Sequence, residues 1–337
     1  MSSNQNRCPV CGAQRSADAG RSLDCPACGT KYAFAEYFSG KNAYDIWCDT
    51  TKTALSAYNK KQMTQLRENS KLIVGPECIM FLNKITGELN GFDRFGRSVA
   101  EQNIWDCSVS GLYQMLLKTS GMVSVSGDTE GGRLRANGAA GIRTVLAGQR
   151  CAYLVNEQGR VECYGACSVR SELESWQDIR QIVCGNNHVA GLTGDGTVVQ
   201  AGGIAQSTAE WKKVKVIAAA ANYTLGLHQD GTVSYAGPRE EVRRDVEGWK
   251  NIAAIAADSQ YAVGLTNDGN VLLAGTCKPY LDGGRSAAGQ WKNVVCIGAG
   301  SSVIAAVTAD GELLLAGGFL RPDDVIGYFR EYNPVKR

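Results

Sequence analysis

The sequence predicts an all-β fold, a seven-bladed β-propeller, preceded by a small four-cysteine zinc ribbon and a linker helix. Three observations carry this reading. A unit opened by Trp and holding a turn glycine twenty residues later recurs four times, at 176–203, 211–237, 249–275 and 291–317. Weaker copies lie upstream around Gly87, Gly121 and Gly159, so that seven turn glycines follow one another at intervals of 34 to 42 residues. Ahead of them, residues 7–32 carry two CxxC pairs. A period of this length marks a repeat architecture.

Each unit reads as β structure. In the copy at 176–203, Ile179 and Ile182 precede the run His188-Val189-Ala190-Gly191-Leu192. An Asp195-Gly196 turn follows, then the run 197–201 and a Gly202-Gly203 exit. Two short apolar runs around Asp-Gly predict a hairpin, with a type I′ turn as the expected geometry. Asp230-Gly231, Asp268-Gly269 and Asp310-Gly311 fill the same slot. One such unit cannot bury a core alone, and no helical filling is expected between units. Radial closure buries both faces of every sheet and leaves only short edges. A linear solenoid is the competing arrangement, but it needs capping ends that the sequence does not show. The segment 328–332 is expected to close the ring by pairing within the last blade.

The ribbon is assigned to 1–35. Cys8, Cys11, Cys25 and Cys28 form CxxC-x13-CxxC, each pair in a CPxCG knuckle. Four thiolates at this spacing suit one tetrahedral Zn²⁺ with no open position, a structural site. So small a module takes its folding energy from the metal. Residues 36–69 link it to the propeller at 70–337. Within the linker, Trp47, Thr51, Ala54, Leu55, Tyr58, Gln62 and Leu66 recur at helical steps over 42–68. That stripe is expected to dock on the propeller; the sharper reading puts Trp47 against a partner.

The net charge of +2 over 337 residues leaves no strong electrostatic footprint for nucleic acid. The N-terminus lacks a signal-peptide core and no stretch is long and apolar enough for a bilayer. Thirteen cysteines, four of them in CxxC pairs, suit a reducing compartment and a cytoplasmic location. No nucleophile elbow, phosphate loop, dinucleotide fingerprint or HExxH is present, so the chain is not expected to be an enzyme. His188 shares a repeat slot with Tyr113, Tyr223, Tyr261 and Val303 and is read as packing, while His228 is expected at the surface. Cys107, Cys151, Cys184 and Cys296 occupy strand slots and are read as small buried hydrophobes. The longest connections are 128–140, 238–248 and 276–290. The second is read as a solvated loop. Tyr280 and Arg285 in the third, with Arg243 and Arg244 in the second, are the candidate partner contacts, because binding concentrates in loops on rigid scaffolds.

The repeats AGLTGDGTVVQAGG, LGLHQDGTVSYAGP, VGLTNDGNVLLAGT and AAVTADGELLLAGG resemble the regulator of chromosome condensation repeat family. The resemblance spans about 70–320. It implies a seven-bladed propeller, and the short, plain repeats look like those of bacterial members. Trp105-Asp106 stands off register, so the Trp-Asp repeat does not describe the chain. Family members serve as exchange factors, inhibitors, photoreceptors and adaptors, so the fold alone does not set the task. The expectation is a non-enzymatic adaptor that binds a protein partner through a propeller face and the ribbon. Regulation of an enzyme, by nucleotide exchange or inhibition, is the alternative. Nucleic-acid binding through the ribbon is the less favoured one.

Overall fold

Alternating apolar residues across short runs dictate two-faced strands, and the chain folds accordingly into seven antiparallel sheets. The structure, a computed structural model, describes residues 31–33, 69–75, 78–92, 98–127, 130–203, 206–275, 284–300, 303–308 and 313–317. Blade 1 holds Ser70–Val74, Ile79–Asn83, Glu88–Phe92 and Ser98–Glu101. Blade 2 holds Ile104–Val109, Tyr113–Lys118 and Val123–Gly127; blade 3 holds Ile142–Ala147, Cys151–Asn156 and Val161–Gly165. Blade 4 holds Ile179–Cys184, His188–Thr193 and Val198–Gly202; blade 5 holds Val214–Ala220, Tyr223–His228 and Val233–Ala236. Blade 6 holds Ile252–Ala257, Ala262–Thr266 and Val271–Ala274; blade 7 holds Val294–Gly300, Val303–Thr308 and Leu313–Gly317. The first strand of each blade packs against the first strand of the next, and Ser70–Val74 against Val294–Gly300 completes the circle. These first strands are therefore the inner ones, lining the axis.

A fourth strand in the last blade is contributed by Lys31–Ala33, which pairs antiparallel with Leu313–Gly317, Lys31 facing Leu315. A strand from the N-terminal segment thus joins the outer edge of the last sheet. The segment 328–332, expected to supply a closing strand, lies outside the described residues, as do the ribbon cysteines Cys8, Cys11, Cys25 and Cys28 and the linker helix.

The hairpin turns differ from the type I′ expectation. Gly196 lies at φ 84°, but Asp195 is absent from the left-handed region. The Gly196 N–H donates to Thr193 O (3.1 Å) and the Thr193 N–H to Thr197 O (3.0 Å). That is a three-residue loop, a type I turn followed by a left-handed bulge residue. The carboxylate selects it: Asp195 Oδ1 accepts from the Thr197 N–H (3.0 Å) and the Thr193 hydroxyl (2.6 Å), which a mirror-image turn would separate. Asp230 accepts the Thr232 N–H and hydroxyl in the same way (2.9 and 2.7 Å). Both carboxyls sit below their ordinary range because of these bonds, that of Asp195 at about 2.

The turn glycine also joins the blades. Its carbonyl accepts the N–H of the residue that opens the next inner strand: Ile104, Ile142, Ile179, Val214, Ile252 and Val294 donate to Gly87, Gly121, Gly159, Gly196, Gly231 and Gly269, at 2.9–3.2 Å. A Cβ on Gly159 would meet Asp178 Cα at 2.7 Å. Conformation and close approach both call for glycine there. Just before each of these strands stands a left-handed residue, Asn103, Gly141, Asp178, Lys213, Asn251 or Asn293, at φ 53–69°.

The repeat Trp residues are core. Trp176, Trp211, Trp249 and Trp291 are buried. The first three lie across a middle-strand glycine fifteen residues on: a Cβ on Gly191, Gly226 or Gly264 would approach the ring to 2.8, 2.6 or 2.7 Å. Ala306 takes that position in blade 7. The connection at 238–248 is a correction. It forms an α-helix, Glu240–Glu247, with Val242 and Val246 buried one turn apart. Acidic residues open it and Arg244 lies in its last turn, matching the helix dipole. Shorter helical turns, Glu130–Ala136, Arg170–Glu174 and Arg285–Gln290, fill three further junctions. The expected absence of helical filling does not hold.

Candidate binding site at the channel mouth

Near the start of the inner strand, blades 2 to 7 insert one extra residue. Pairing runs Ile179 to Thr193 and then Gln181 to Leu192, leaving Arg180 unpaired. The same slip leaves out Trp105, Arg143, Lys215, Ala253 and Val295. A bulge bends the strand and re-aims a side chain, commonly at the rim of a closed sheet. Here it presents Arg180 and Lys215 to a cavity of about 610 Å³ enclosed by inner strands of blades 1 to 6. Lys84 and Asn267, from the turns of blades 1 and 6, also line it, so it opens at the turn end of the axis.

Part of this mouth is a closed polar network. Lys71 Nζ lies 2.7 Å from Asp106 Oδ1 and donates to Cys107 O at 2.8 Å. Asp106 Oδ2 accepts from the Thr144 hydroxyl (2.7 Å) and the Val145 N–H (3.3 Å). Burial raises the Asp106 carboxyl, yet the Lys71 ammonium and the Thr144 hydroxyl bring it net below its ordinary value. Burial likewise opposes the charge on Lys71, and attraction to Asp106 overcomes it. Lys84 is pushed down by burial and by repulsion from Lys71, only partly offset by Asp106. Among the described residues, four cations, Lys71, Lys84, Arg180 and Lys215, thus share the cavity with one carboxylate, Asp106. That carboxylate is fully engaged, so the chemistry the mouth offers is attraction of an anion.

The bulged side chains also stitch blades together. Trp105 Nε1 donates to Arg143 O (3.1 Å), Arg143 to Ile179 O, and Arg180 Nη2 to Val214 O (2.9 Å). One layer deeper, Gln181 Nε2 donates to Ile217 O (2.8 Å) and Gln181 Oε1 accepts the Ile217 N–H (2.9 Å). A rim held this way keeps the Arg180 charge in place before any ligand arrives.

The residues singled out from sequence fall elsewhere. Arg285 is not at the surface: it is buried, its Nη1 2.6 Å from Asp258 Oδ2 and its guanidinium 5.7 Å from the Tyr261 ring centre. Asp258 also accepts the Gln260 and Tyr261 N–H groups (2.6 and 2.9 Å). Arg285 therefore locks the turn between the first two strands of blade 6 and does not offer a contact. Arg243 pairs with Glu240 on the helix surface, and Arg244 is exposed beside it. Tyr280 and Trp47 lie outside the described residues. His188 is buried as read, with a further role: its Nε2 is 2.9 Å from the Thr224 hydroxyl of the next blade. Tyr113 and Tyr223 use the same slot to donate to Cys151 O and Tyr261 O (2.9 and 2.8 Å). His228 is half-buried, between Lys212 O and the Ser234 hydroxyl (2.8 Å each). Cys107 and Cys151 are buried, Cys184 and Cys296 half-buried. Burial pushes the thiols of Cys151, Cys163 and Cys184 up to about 11, 12 and 12, so they are protonated at neutral pH. Among the described residues no group of three or more His, Cys, Asp or Glu is arranged to hold a metal ion.

Sequence reasoning missed the mouth. The available signal was a basic residue after the first Ile or Val of three consecutive repeats: Ile142-Arg143, Ile179-Arg180 and Val214-Lys215. Trp105, set aside as off register, stands on the same bulge.

No family model matches the chain, and no curated protein does. Solved structures do. The chain is similar to Prp20p of Saccharomyces cerevisiae at a TM-score of 0.51 and 14% identity, over 78% of this chain and 85% of that one. It is similar to the CRINKLY WD40 ectodomain of the Arabidopsis thaliana receptor kinase ACR4 at 0.53 and 14%, over 74% and 94%. A second structure of the yeast protein, RCC1 (Prp20) bound to Kap60, gives 0.52 and 14%, over 78% and 83%. At such identity the likeness concerns the fold alone, and with seven sheets closed in a ring that fold is a β-propeller.

Proposed function

We propose that this protein is a non-enzymatic adaptor that binds a protein partner through the turn face of its propeller, with the N-terminal four-cysteine segment as a zinc-stabilised second module. The observation that carries the reading is the channel mouth: Arg180 and Lys215 aimed by bulges, with Arg180 and Lys71 bonded to the neighbouring blade, around an open concave cavity. A rigid, pre-formed rim loses little conformational entropy on association, which favours binding. One Prp20p structure is described together with binding to Gsp1p and histones, and a second structure of the same yeast protein holds it bound to Kap60. Those partners belong to the yeast protein; they support the general use of this fold as a protein-binding surface. Regulation of a bound enzyme is the finer form of the same reading. The cytoplasm, where thiols stay reduced, is the location that suits Cys8, Cys11, Cys25 and Cys28 as zinc ligands.

The test is capture with the full-length chain from native cytosol, followed by reconstitution with each purified candidate. Saturable binding to one protein, retained when Cys8 and Cys11 are changed to Ser, assigns recognition to the propeller. Loss with those changes moves it to the N-terminal module. No saturable protein binding by either form overturns the adaptor reading.

A further inference from the structure

The turn face carries two kinds of surface. Around the mouth, Arg180 and Lys215 are exposed and Lys84 is repelled by Lys71. On blades 1 and 2 of the same face, large apolar side chains stand in water: Ile85 is 74% exposed in the blade 1 turn, Met122 52% beside the blade 2 turn, and Trp105 49% on the blade 2 bulge. The Ile104 N–H donates to Gly87 O, so the blade 1 turn is tied to the strand that carries Trp105. The cavity wall adds Leu192, Val216 and Ile255 beside the cations.

Resting on the protein-binding reading, we propose that the channel mouth takes a short acidic segment of a partner protein, its carboxylates on Arg180, Lys215 and Lys84 and an apolar side chain against Trp105, Ile85 and Met122. Charge complementarity selects the sign: four cations face one carboxylate that is already committed, in a chain whose overall charge is only +2. The shape and the apolar half select a peptide over nucleic acid. A polynucleotide is held along a continuous basic track, whereas these cations converge on one round opening. Ile85 and Met122 are aliphatic and offer no stacking face, while Trp and Met are enriched where proteins meet.

The experiment is fluorescence anisotropy of a fluorescein-labelled peptide alternating glutamate and leucine, titrated with the full-length chain at low salt. Three competitors are used: the glutamine-leucine and glutamate-serine counterparts, and an oligothymidylate. Saturable binding is expected, weakened about tenfold or more in Arg180→Glu/Lys215→Glu and by added salt. It should also weaken in Trp105→Ala, with both counterpart peptides poorer competitors. Arg180 also bonds Val214 O, so Lys215→Glu alone, at an exposed side chain, is measured with its melting temperature and should weaken binding without unfolding. Absence of saturation, equal affinity in the charge-reversed forms, or tighter competition by the oligothymidylate each overturns the proposal. A purified partner bound equally by wild type and Arg180→Glu/Lys215→Glu overturns the mouth while leaving the adaptor reading intact.

Discussion

Single residues in this fold serve two neighbours at once. Gly191 pairs within blade 4 and lets the Trp176 ring lie on its Cα. Gly191→Val would drive two methyls into a buried indole, and overpacking of this kind costs about 3 kcal/mol. Chemical denaturation should show it as a lower midpoint with an unchanged slope. Asp106 is the second case, joining blades 1, 2 and 3 through Lys71 and Thr144. Asp106→Asn should cost about 2 kcal/mol at neutral pH, discounted because Lys71 reaches solvent. The pH dependence follows from the two shifts. The Asp106 carboxyl is lowered on folding, so its contribution is complete above the ordinary carboxylate range, about 3.9, and is lost as pH falls through the lowered value. The Lys71 ammonium is raised, so its contribution is complete below about 10.4 and is lost as pH rises through the raised value. The stability gap between wild type and Asp106→Asn should be flat from about pH 5 to 9 and shrink in stronger acid. A gap that widens toward acid would refute this account.

At the scale of elements, the junctions between blades carry the information that the strands do not. The strands repeat, and their pattern, the positions of their turns and the Trp slot were legible in the sequence, whereas the turn geometry was not. The helix Glu240–Glu247 was legible too, in the spacing of Val242 and Val246, but seven charged side chains in eleven residues masked it as a loop. Arg285 misled in the opposite direction. An arginine in a long polar connection reads as an exposed contact, and only the turn at Asp258, from a strand pair before it in the chain, reveals a buried ion pair. Removing one partner leaves a buried charge uncompensated, so Arg285→Ala should destabilise the fold by about 3–5 kcal/mol. Double substitution with Asp258→Ala should restore part of that loss. Additive losses in the double-substitution cycle would show that the pair is not coupled.

Over the whole molecule, closure is what makes seven weak units one structure. The ring is joined between blades 1 and 7 through Ser70–Val74 and Val294–Gly300, and Lys31–Ala33 covers the outer edge of the last sheet. The N-terminal segment therefore bears on the propeller, and the metal is expected to matter to it. About one zinc per chain should be found by elemental analysis, as four thiolates at CxxC-x13-CxxC spacing require. Stripping it with a chelator, or deleting residues 1–34, should lower the melting temperature of the whole ring by exposing the edge of Leu313–Gly317. An unchanged melting temperature in the deletion would mean that the edge strand adds nothing to closure.

The sequence by itself determined the period, the number of units, the hairpin in each and the recurring Trp slot, because these depend on local pattern and on spacings repeated along the chain. The spacing of Cys8, Cys11, Cys25 and Cys28 also sets the expectation of a zinc site, at residues outside those the structure describes. Tertiary structure decided the rest. The bulge that aims Arg180 and Lys215 is a slip in pairing between two strands, and a lone basic residue after an Ile or Val does not display it. The meeting of Lys71, Asp106 and Thr144 joins positions 71, 106 and 144, close only because the ring curves three inner strands toward one axis. A site assembled from residues of several blades is faint in any one repeat: each contributor is an ordinary strand or turn residue until closure sets them side by side.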